Sequence, residues 1–491
     1  MSLLQRVGRN SAIYTVTTFL QKGVSFLLLP LYTRYLSPED YGILAVVGSL
    51  SGVLAVFLNL SLHASVTRYY FSYRSEPNVL KEFWGTILVL VTLISLGAGV
   101  TLLLVGQYLL APLYGDIAWP YVSLGIATIM LQPVTTIFLS ILQTREQADL
   151  YAMHTLAQFA LTVTMIVSFV VFLGWNAEGP LVAGLITAIL YFVISMYSLR
   201  GEYRLCFRRN YALQALNYSL PLVPHILASQ VIAASDRMFL NQMISTASAG
   251  IYNIGAVFGG VVSIVTDGAN RAYVPASMDA LQTNSPDRLM ELRRAGLVLV
   301  TSYSLFALAI SLFAKEIIGL LTTRPFHDSY IVVPWIAFSF VATGLYYLFV
   351  NILFYHVHMT WIVALGTTLG AGVHIGLNYF LIGRFGLVGA AMASFCAQLL
   401  GATLIAAIGR VYDPVAWDYV KLTAVPIFSL IVALCINEVQ IPSGIALAGL
   451  KTITFVCIYC VFNLALWRDV GFLLRQVSIV VRSLDKVVAQ V

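Results

Sequence analysis

Charge is what this sequence has least of. Of 491 residues only 10% are Asp, Glu, Lys or Arg, against roughly 25% in a soluble globular protein. A chain so poor in charge cannot cover a water-facing surface of its own size, and its mean hydropathy of +0.88 agrees. Apolar runs of about 20 residues recur from end to end, the length a helix needs to cross hydrocarbon. The runs are continuous and do not alternate with polar residues, which excludes a transmembrane β-barrel. An all-α polytopic membrane protein is expected, with no room for a separate soluble domain.

Other scarcities narrow its chemistry. There are five cysteines. Cys206 falls in a loop, and Cys396, Cys435, Cys457 and Cys460 fall in helices. Cys457 and Cys460 form C-x-x-C without a second pair or a nearby histidine, and read as small residues packing one helix face. The seven histidines are scattered, so no metal site is expected. No G-x-x-x-x-G-K-[ST] is present, which excludes ATP hydrolysis by a Walker fold. No D-x-D pair is present, which speaks against a nucleotide-sugar glycosyltransferase, and no nucleic-acid partner is expected. Arg6 and Arg9 precede an apolar stretch as in a signal peptide, but Lys22 interrupts it and no A-x-A site follows. A retained first helix is expected.

What is present divides into fourteen expected spans, near 11–35, 41–62, 83–110, 119–142, 150–173, 180–199, 214–244, 248–268, 295–313, 330–352, 360–382, 386–409, 419–436 and 443–467. Turn formers such as Ser37-Pro38-Glu39-Asp40, Ala111-Pro112 and Ile441-Pro442 mark the joints. With both termini cytoplasmic, outward segments hold only Arg34, Arg237, Lys315, Arg324 and Arg384, and Lys22 and Lys451 fall within spans. About twenty cations then face inward. From Arg468 onward, apolar residues recur at helical spacing between Arg475, Arg482 and Lys486. This tail reads either as an amphipathic helix on an anionic leaflet or as a simple extension.

Two stretches repeat, Gly179 to Thr187 and Gly386 to Ser394. In each a glycine follows a short outer loop, and a small-residue helix runs to a hydroxyl eight positions on. Arg68-Tyr69-Tyr70 and Arg271-Ala272-Tyr273 end two further corresponding spans. The copies lie six spans apart and run the same way, a parallel repeat of two six-helix halves. The expected organisation is an N-lobe over 1–199, a C-lobe over 200–410, accessory helices over 411–467 and a cytoplasmic tail over 468–491.

Against this background the charges inside spans stand out, because each costs on the order of 3 kcal/mol in hydrocarbon. Asp236 and Arg237 are adjacent, so they point about 100° apart on a helix and need separate partners. Asp236 needs a cation or a proton, with Lys22 and Arg34 on the first span as partners, or a small-residue pocket if protonated. Arg237 reads as a cavity or gate residue, or as one snorkelling outward. Lys22, about 17 Å from either end of its span, is too deep to snorkel with ease. Arg68 and Arg271 sit at inner helix ends suited to an anion, or serve orientation alone. His225, after Pro221 and Pro224, and His374 are polar positions that could line a cavity. Tyr252, Tyr303, Tyr346 and Tyr347 could line a cavity as stacking rings or anchor at interfaces.

Four segments carry a family resemblance: RYLSPEDYG (Arg34 to Gly42), SDRMFL (Ser235 to Leu240), AGIY (Ala249 to Tyr252) and LNYFLIGRFGLVGAAMAS (Leu377 to Ser394). Through them the sequence resembles the polysaccharide-transport branch, the Wzx-type flippases, of the multidrug/oligosaccharidyl-lipid/polysaccharide (MOP) exporter superfamily. The resemblance implies a MATE-like two-lobed bundle with two extra C-terminal helices in a bacterial inner membrane. It implies a flippase, not an enzyme. The cargo would be undecaprenyl-diphosphate-linked oligosaccharide, moved from the cytoplasmic to the periplasmic leaflet by alternating access for O-antigen, capsule or exopolysaccharide. Membrane lipids, a polysaccharide polymerase and a chain-length regulator are the implied partners, and H+ or Na+ coupling replaces any cofactor. A lipid II flippase and a cation-coupled multidrug exporter share the superfamily. A membrane polysaccharide polymerase or ligase is the alternative from another class, though such enzymes usually carry a large outer loop and none is evident here. Unlike many multidrug members, the first span has no Asp or Glu, which leaves Asp236 as the leading intramembrane carboxylate.

Overall fold

The computed structural model describes residues 28–356, 360–411, 415–439 and 448–462, with scattered positions between 9 and 26. Among these residues there are helices and no strands. In chain order they are α1 (Leu29–Tyr35), α2 (Pro38–Asn59), α3 (Leu62–Tyr73), α4 (Pro77–Leu109), α5 (Ala111–Tyr114), α6 (Trp119–Thr144), α7 (Ala148–Val167) and α8 (Glu178–Leu199). Then follow α9 (Arg209–Ser219), α10 (Val223–Met243), α11 (Thr246–Thr283), α12 (Pro286–Leu321), α13 (Val333–Tyr355), α14 (Thr360–Gly409), α15 (Tyr419–Glu438) and α16 (Ala448–Phe462).

Ten described helices are long and apolar enough to cross a membrane, which makes this a multi-pass membrane protein. The ten do not map one to one onto the expected spans. Those expected at 360–382 and 386–409 form the single element α14, broken at Gly386 with φ +58°. α10 is not among the ten; its stretch ASDRMFLNQM is too polar, and the helix before it gives way at Leu220–Leu222 to a 3-10 turn around Pro221. The first span is only partly within the described residues, and the tail from Arg468 lies outside them. Fourteen spans therefore stay an expectation.

Packing gathers the chain into two compact units. One comprises residues 1–254, 321–327 and 375–390, and the other 255–320, 328–374 and 391–491. This grouping follows contact density, whereas the expected boundary at 199/200 follows pseudosymmetry. The division into lobes is a separate matter that contact density does not address.

The first unit is centred on Phe83, Trp84, Ile87, Val91 and Ile137, all fully buried, where α4 meets α6. The positively charged loop after α8 does not hang free from this core. Arg204 donates its backbone N–H to the Lys81 carbonyl at 3.0 Å, and its guanidinium reaches Glu82 at 3.3 Å. Arg208 meets the same carboxylate at 3.5 Å. Arg145 pairs with Glu202 at 2.5 Å and lies over the Trp84 ring at 4.9 Å. Gly85 makes the docking possible, because a Cβ there would stand 1.9 Å from the Arg204 carbonyl oxygen.

A second close approach joins two of the motif segments. In SPEDYG, Ser37 and Asp40 cap α2 reciprocally, the Asp40 N–H donating to Ser37 Oγ and the Ser37 N–H to the Asp40 carboxylate. One turn on, a Cβ on Gly42 would lie 1.9 Å from the Thr246 carbonyl oxygen, and one on Gly250 would lie 2.1 Å from that of Pro38. The starts of α2 and α11 thus touch backbone to backbone. Segment 321–327 packs beside them, with Thr323 Oγ1 donating to the Thr33 carbonyl at 2.6 Å and Phe326 edge-on to Tyr41 at 6.1 Å.

The second unit has two apolar centres. Val300, Leu348, Leu353 and Leu422 form one, and Val262, Leu308, Phe338 and Ala433 the other, which α16 joins through Ile458 and Phe462. Lys451, expected inside a span, is 1% exposed and meets Glu316 at 2.6 Å. A buried lysine needs such a partner.

The repeat has a counterpart in hydrogen bonding. Thr187 accepts from Thr162 of the preceding helix at 3.3 Å, and Ser394 lies 3.3 Å from His374 Nε2 on the first arm of α14. The hydroxyl eight residues past the glycine thus meets a polar side chain of the helix before it in both copies. The second copy starts at a left-handed glycine, Gly386 at φ +58°; in the first the left-handed glycine is Gly174 at φ +67°, five residues ahead of Gly179.

Gly250→Val is expected to lower the apparent melting temperature in detergent by at least about 2 °C, since the added atoms meet backbone and nothing can rotate away. Gly48→Ala, with open space around its Cβ position, should leave the melting temperature unchanged or raise it. Glu82→Ala is expected to speed tryptic cleavage after Arg204 and Arg208, measured by limited proteolysis in membranes.

Candidate functional site

α10 lies along α2, and its polar face is where three motif segments converge. Asp236 is 4% exposed. Its Oδ2 accepts from the Tyr252 hydroxyl at 2.5 Å, and its Oδ1 accepts from Asn378 Nδ2 at 2.8 Å. Asn378 also donates to Ser235 Oγ at 3.1 Å. Both donors are fully buried. SDRMFL, AGIY and LNYF are therefore joined at one carboxylate. Hydrogen bonds to an ionised group contribute about 1.5–3 kcal/mol each, so two of them offset a large part of the cost of burying the charge.

Arg237 turns away from its neighbour. Its Nη1 donates to the Ala233 carbonyl at 2.7 Å, its Nε donates to Asn253 Oδ1 at 3.1 Å, and the guanidinium lies 5.6 Å from the Tyr252 ring centre. It is folded back on its own helix and on α11 rather than extended outward. The far end of α10 is fixed as well. Asn241 Nδ2 donates to the Tyr114 carbonyl at 2.8 Å, its Oδ1 accepts from Thr246 Oγ1 at 2.7 Å, and Gln242 donates to the Pro112 carbonyl. Asp236 and Arg237 thus sit on a helix whose C-terminal end cannot shift freely.

The remaining expected site residues are dispersed. Among the described residues Asp236 forms no ion pair with Arg34, which is exposed on α1. Lys22, the other expected partner, lies outside the described residues. Arg68 is exposed on α3, near Ser72 and over the Tyr69 ring. His225 is exposed at the start of α10, about 16 Å of helix rise from Asp236. Arg271 and His374 belong to the second unit, the former exposed and the latter fully buried. No group of three or more His, Cys, Asp or Glu among the described residues could hold a metal.

The structure also supplies groups that the sequence did not single out. Asn378 is one, and its Oδ1 is a buried acceptor with no hydrogen-bond donor among the described residues. Asp267 in the second unit is another. Its Oδ1 accepts from Tyr347 at 3.0 Å; on the same helix Asn270 accepts from Asn351 at 3.0 Å. Two of the tyrosines expected as stacking or anchoring rings are buried among protein side chains in this structure. Tyr252 is fully buried against Asp236, and Tyr303, 3% exposed, lies against Gly344, where a Cβ would stand 2.7 Å from the ring.

With this geometry in place, known proteins give it a context. The fold is that of MOP-superfamily transporters. The chain superposes on the lipid II flippase MurJ in an inward closed conformation with a TM-score of 0.71, at 14% identity, over 94% of this chain and 99% of that one. It superposes on an inward-facing multidrug resistance MATE family transporter with a TM-score of 0.60, at 15% identity, over 82% and 95% of the two chains. Residues 7–280 match the family described as polysaccharide biosynthesis protein, and this chain belongs to that family. Two Haemophilus influenzae proteins are each 27% identical. The Lsg locus putative protein 1 aligns over 56% of this chain and 67% of its own length, and an uncharacterized membrane protein over 71% and 84%. The family agrees with the Wzx-type resemblance carried by the four motif segments.

Tyr252→Phe removes one donor from a buried carboxylate and is expected to cost about 1–3 kcal/mol, read as a lower midpoint in thermal or denaturant unfolding of the purified protein. Asn378→Leu should cost as much or more. If either left the midpoint unchanged, Asp236 would not depend on these bonds.

Proposed function

We propose that this protein is a flippase for a lipid-linked oligosaccharide, an undecaprenyl-diphosphate-linked repeat unit, moving it across a bacterial inner membrane by alternating access for surface polysaccharide synthesis. The match of residues 7–280 to the polysaccharide biosynthesis family carries this reading. The likeness to flippase and exporter folds favours transport over polymerase or ligase chemistry. In this reading both termini are cytoplasmic, as the cation distribution suggests. A polymerase and a chain-length regulator act downstream. Lys22, Arg237, Arg68 and Arg271 offer cations for a diphosphate or for acidic sugars, with His225 and His374 as further polar positions, and Arg34 stands at the outer end of the first span.

Asp236 is the proposed gate or coupling residue for H+ or Na+. Its surroundings fit that role. The carboxylate is buried and oriented by two donors, and Asn378 Oδ1 beside it is an acceptor lacking a donor among the described residues. A proton or a small cation could use such oxygens. The lipid II flippase and multidrug readings share this fold and are separated by phenotype.

Replacing Lys22 and Arg237 together by Ala is expected to reduce surface polysaccharide at least about tenfold in a complemented deletion strain at unchanged membrane levels of the protein. Intact polysaccharide would overturn the cationic-site reading. Drug resistance on overexpression, with polysaccharide unaffected by deletion, would point to the exporter.

A further inference from the structure

Two recesses adjoin at the start of α15, and the proposed function uses neither. The first, of about 190 Å³, is lined by Arg293 and Arg294 of α12, by Trp417, Asp418 and Lys421, and by Leu422. Asp418 is its one lining carboxylate, capping α15 by accepting the Lys421 N–H at 3.2 Å. It meets Lys421 Nζ at 3.2 Å and Arg293 at 4.0 Å. Among the described lining residues three cations stand against this one carboxylate. The second recess, of about 350 Å³, is walled by Leu345, Phe349, Ala402 and Ala406. Leu422 lines both, and Arg410 lines the second, over the Tyr419 ring at 5.8 Å.

A positive recess beside an apolar one matches a molecule with an anionic head and a hydrocarbon tail. Trp417 and Tyr419 stand where the two join, the amphipathic rings that favour a membrane–water boundary. Val420, next to Tyr419, also lines the apolar recess and is 75% exposed, so the recess opens at an apolar rim. The apolar recess, about 350 Å³, has room for one hydrocarbon chain along its wall. Arg293 and Arg294 belong to the segment whose cations mark the cytoplasmic side, where anionic lipids attract basic side chains.

We propose that this site binds an anionic phospholipid, its phosphate held by Arg293, Arg294 and Lys421 and one acyl chain lying along Ala402 and Ala406. The proposal rests on the reading above only for the side of the membrane. Binding is measured without transport, so failure of either reading can be told from failure of the other.

The test is native mass spectrometry of the delipidated, purified full-length protein titrated with dioleoyl phosphatidylglycerol or dioleoyl phosphatidylethanolamine. One phosphatidylglycerol should be retained with at least about tenfold preference. Arg293→Gln with Lys421→Gln should reduce that affinity at least about fivefold, while the charge-conserving Arg293→Lys with Lys421→Arg keeps it and shows that the fold survives. Ala406→Trp, which fills the apolar recess, should lower retention with every cation in place. Equal retention of the two lipids, or an unaffected Gln variant, overturns the proposal. So does displacement by undecaprenyl phosphate at equal concentration, which would assign the site to the transported lipid. Inorganic phosphate binding as tightly, with the same loss on substitution, would make it a free-anion site.

Discussion

The arrangement of the first unit depends on one buried carboxylate. A lone Asp in a membrane helix is tolerated only when something else is arranged around it. Here Tyr252 from α11 and Asn378 from α14 are brought to Asp236 from segments 16 and 142 residues away in the chain. The charge therefore fixes three helices relative to one another within that unit. Each donor is also fully buried, so losing the acceptor would remove a hydrogen bond from two polar groups in an apolar setting. That mutual dependence is what makes a polar cluster specify a packing and not merely tolerate it.

The backbone contact between α2 and α11 supports the cluster from below. Tyr252 lies two residues past Gly250, whose lack of a side chain lets α11 approach Pro38. A bulkier residue there would move Tyr252 away from Asp236. The glycine in AGIY and the glycine ending SPEDYG thus set the position of a hydroxyl that neither of them touches. Arg237 follows the same logic, since its partner Asn253 sits next to Tyr252 on the same helix.

Much of this was legible in the sequence. Membrane residence, helical class and family followed from scarce charge and four short segments, and Asp236 was conspicuous because a charge in a span carries a visible cost. Its partners were not, because Asn and Tyr are ordinary in membrane helices and nothing in spacing says that residue 378 meets residue 236. The expected pairing with Arg34 is not formed; Tyr252 and Asn378 donate to the carboxylate, and Lys22, the other expected partner, lies outside the described residues. Asp267 was passed over because it falls at the uncertain end of an expected span, where a carboxylate reads as loop. The break in α14 was legible: the spans expected at 360–382 and 386–409 meet at Gly386, whose φ of +58° interrupts the helix where a short outer joint was expected.

The docked loop after α8 gives the positive charge of this protein a history. Asp and Glu count for little in setting orientation, so Arg204 and Arg208 act at full strength while the nascent helices choose a side. In the folded chain both share Glu82, and Glu202 beside them holds Arg145. One carboxylate shared by two arginines cancels only part of their charge, and the Arg204 and Arg208 side chains stay 74% and 62% exposed. The same cations that orient the protein during insertion therefore keep a positive loop at the surface of the finished molecule, held in place by the acids that dock it.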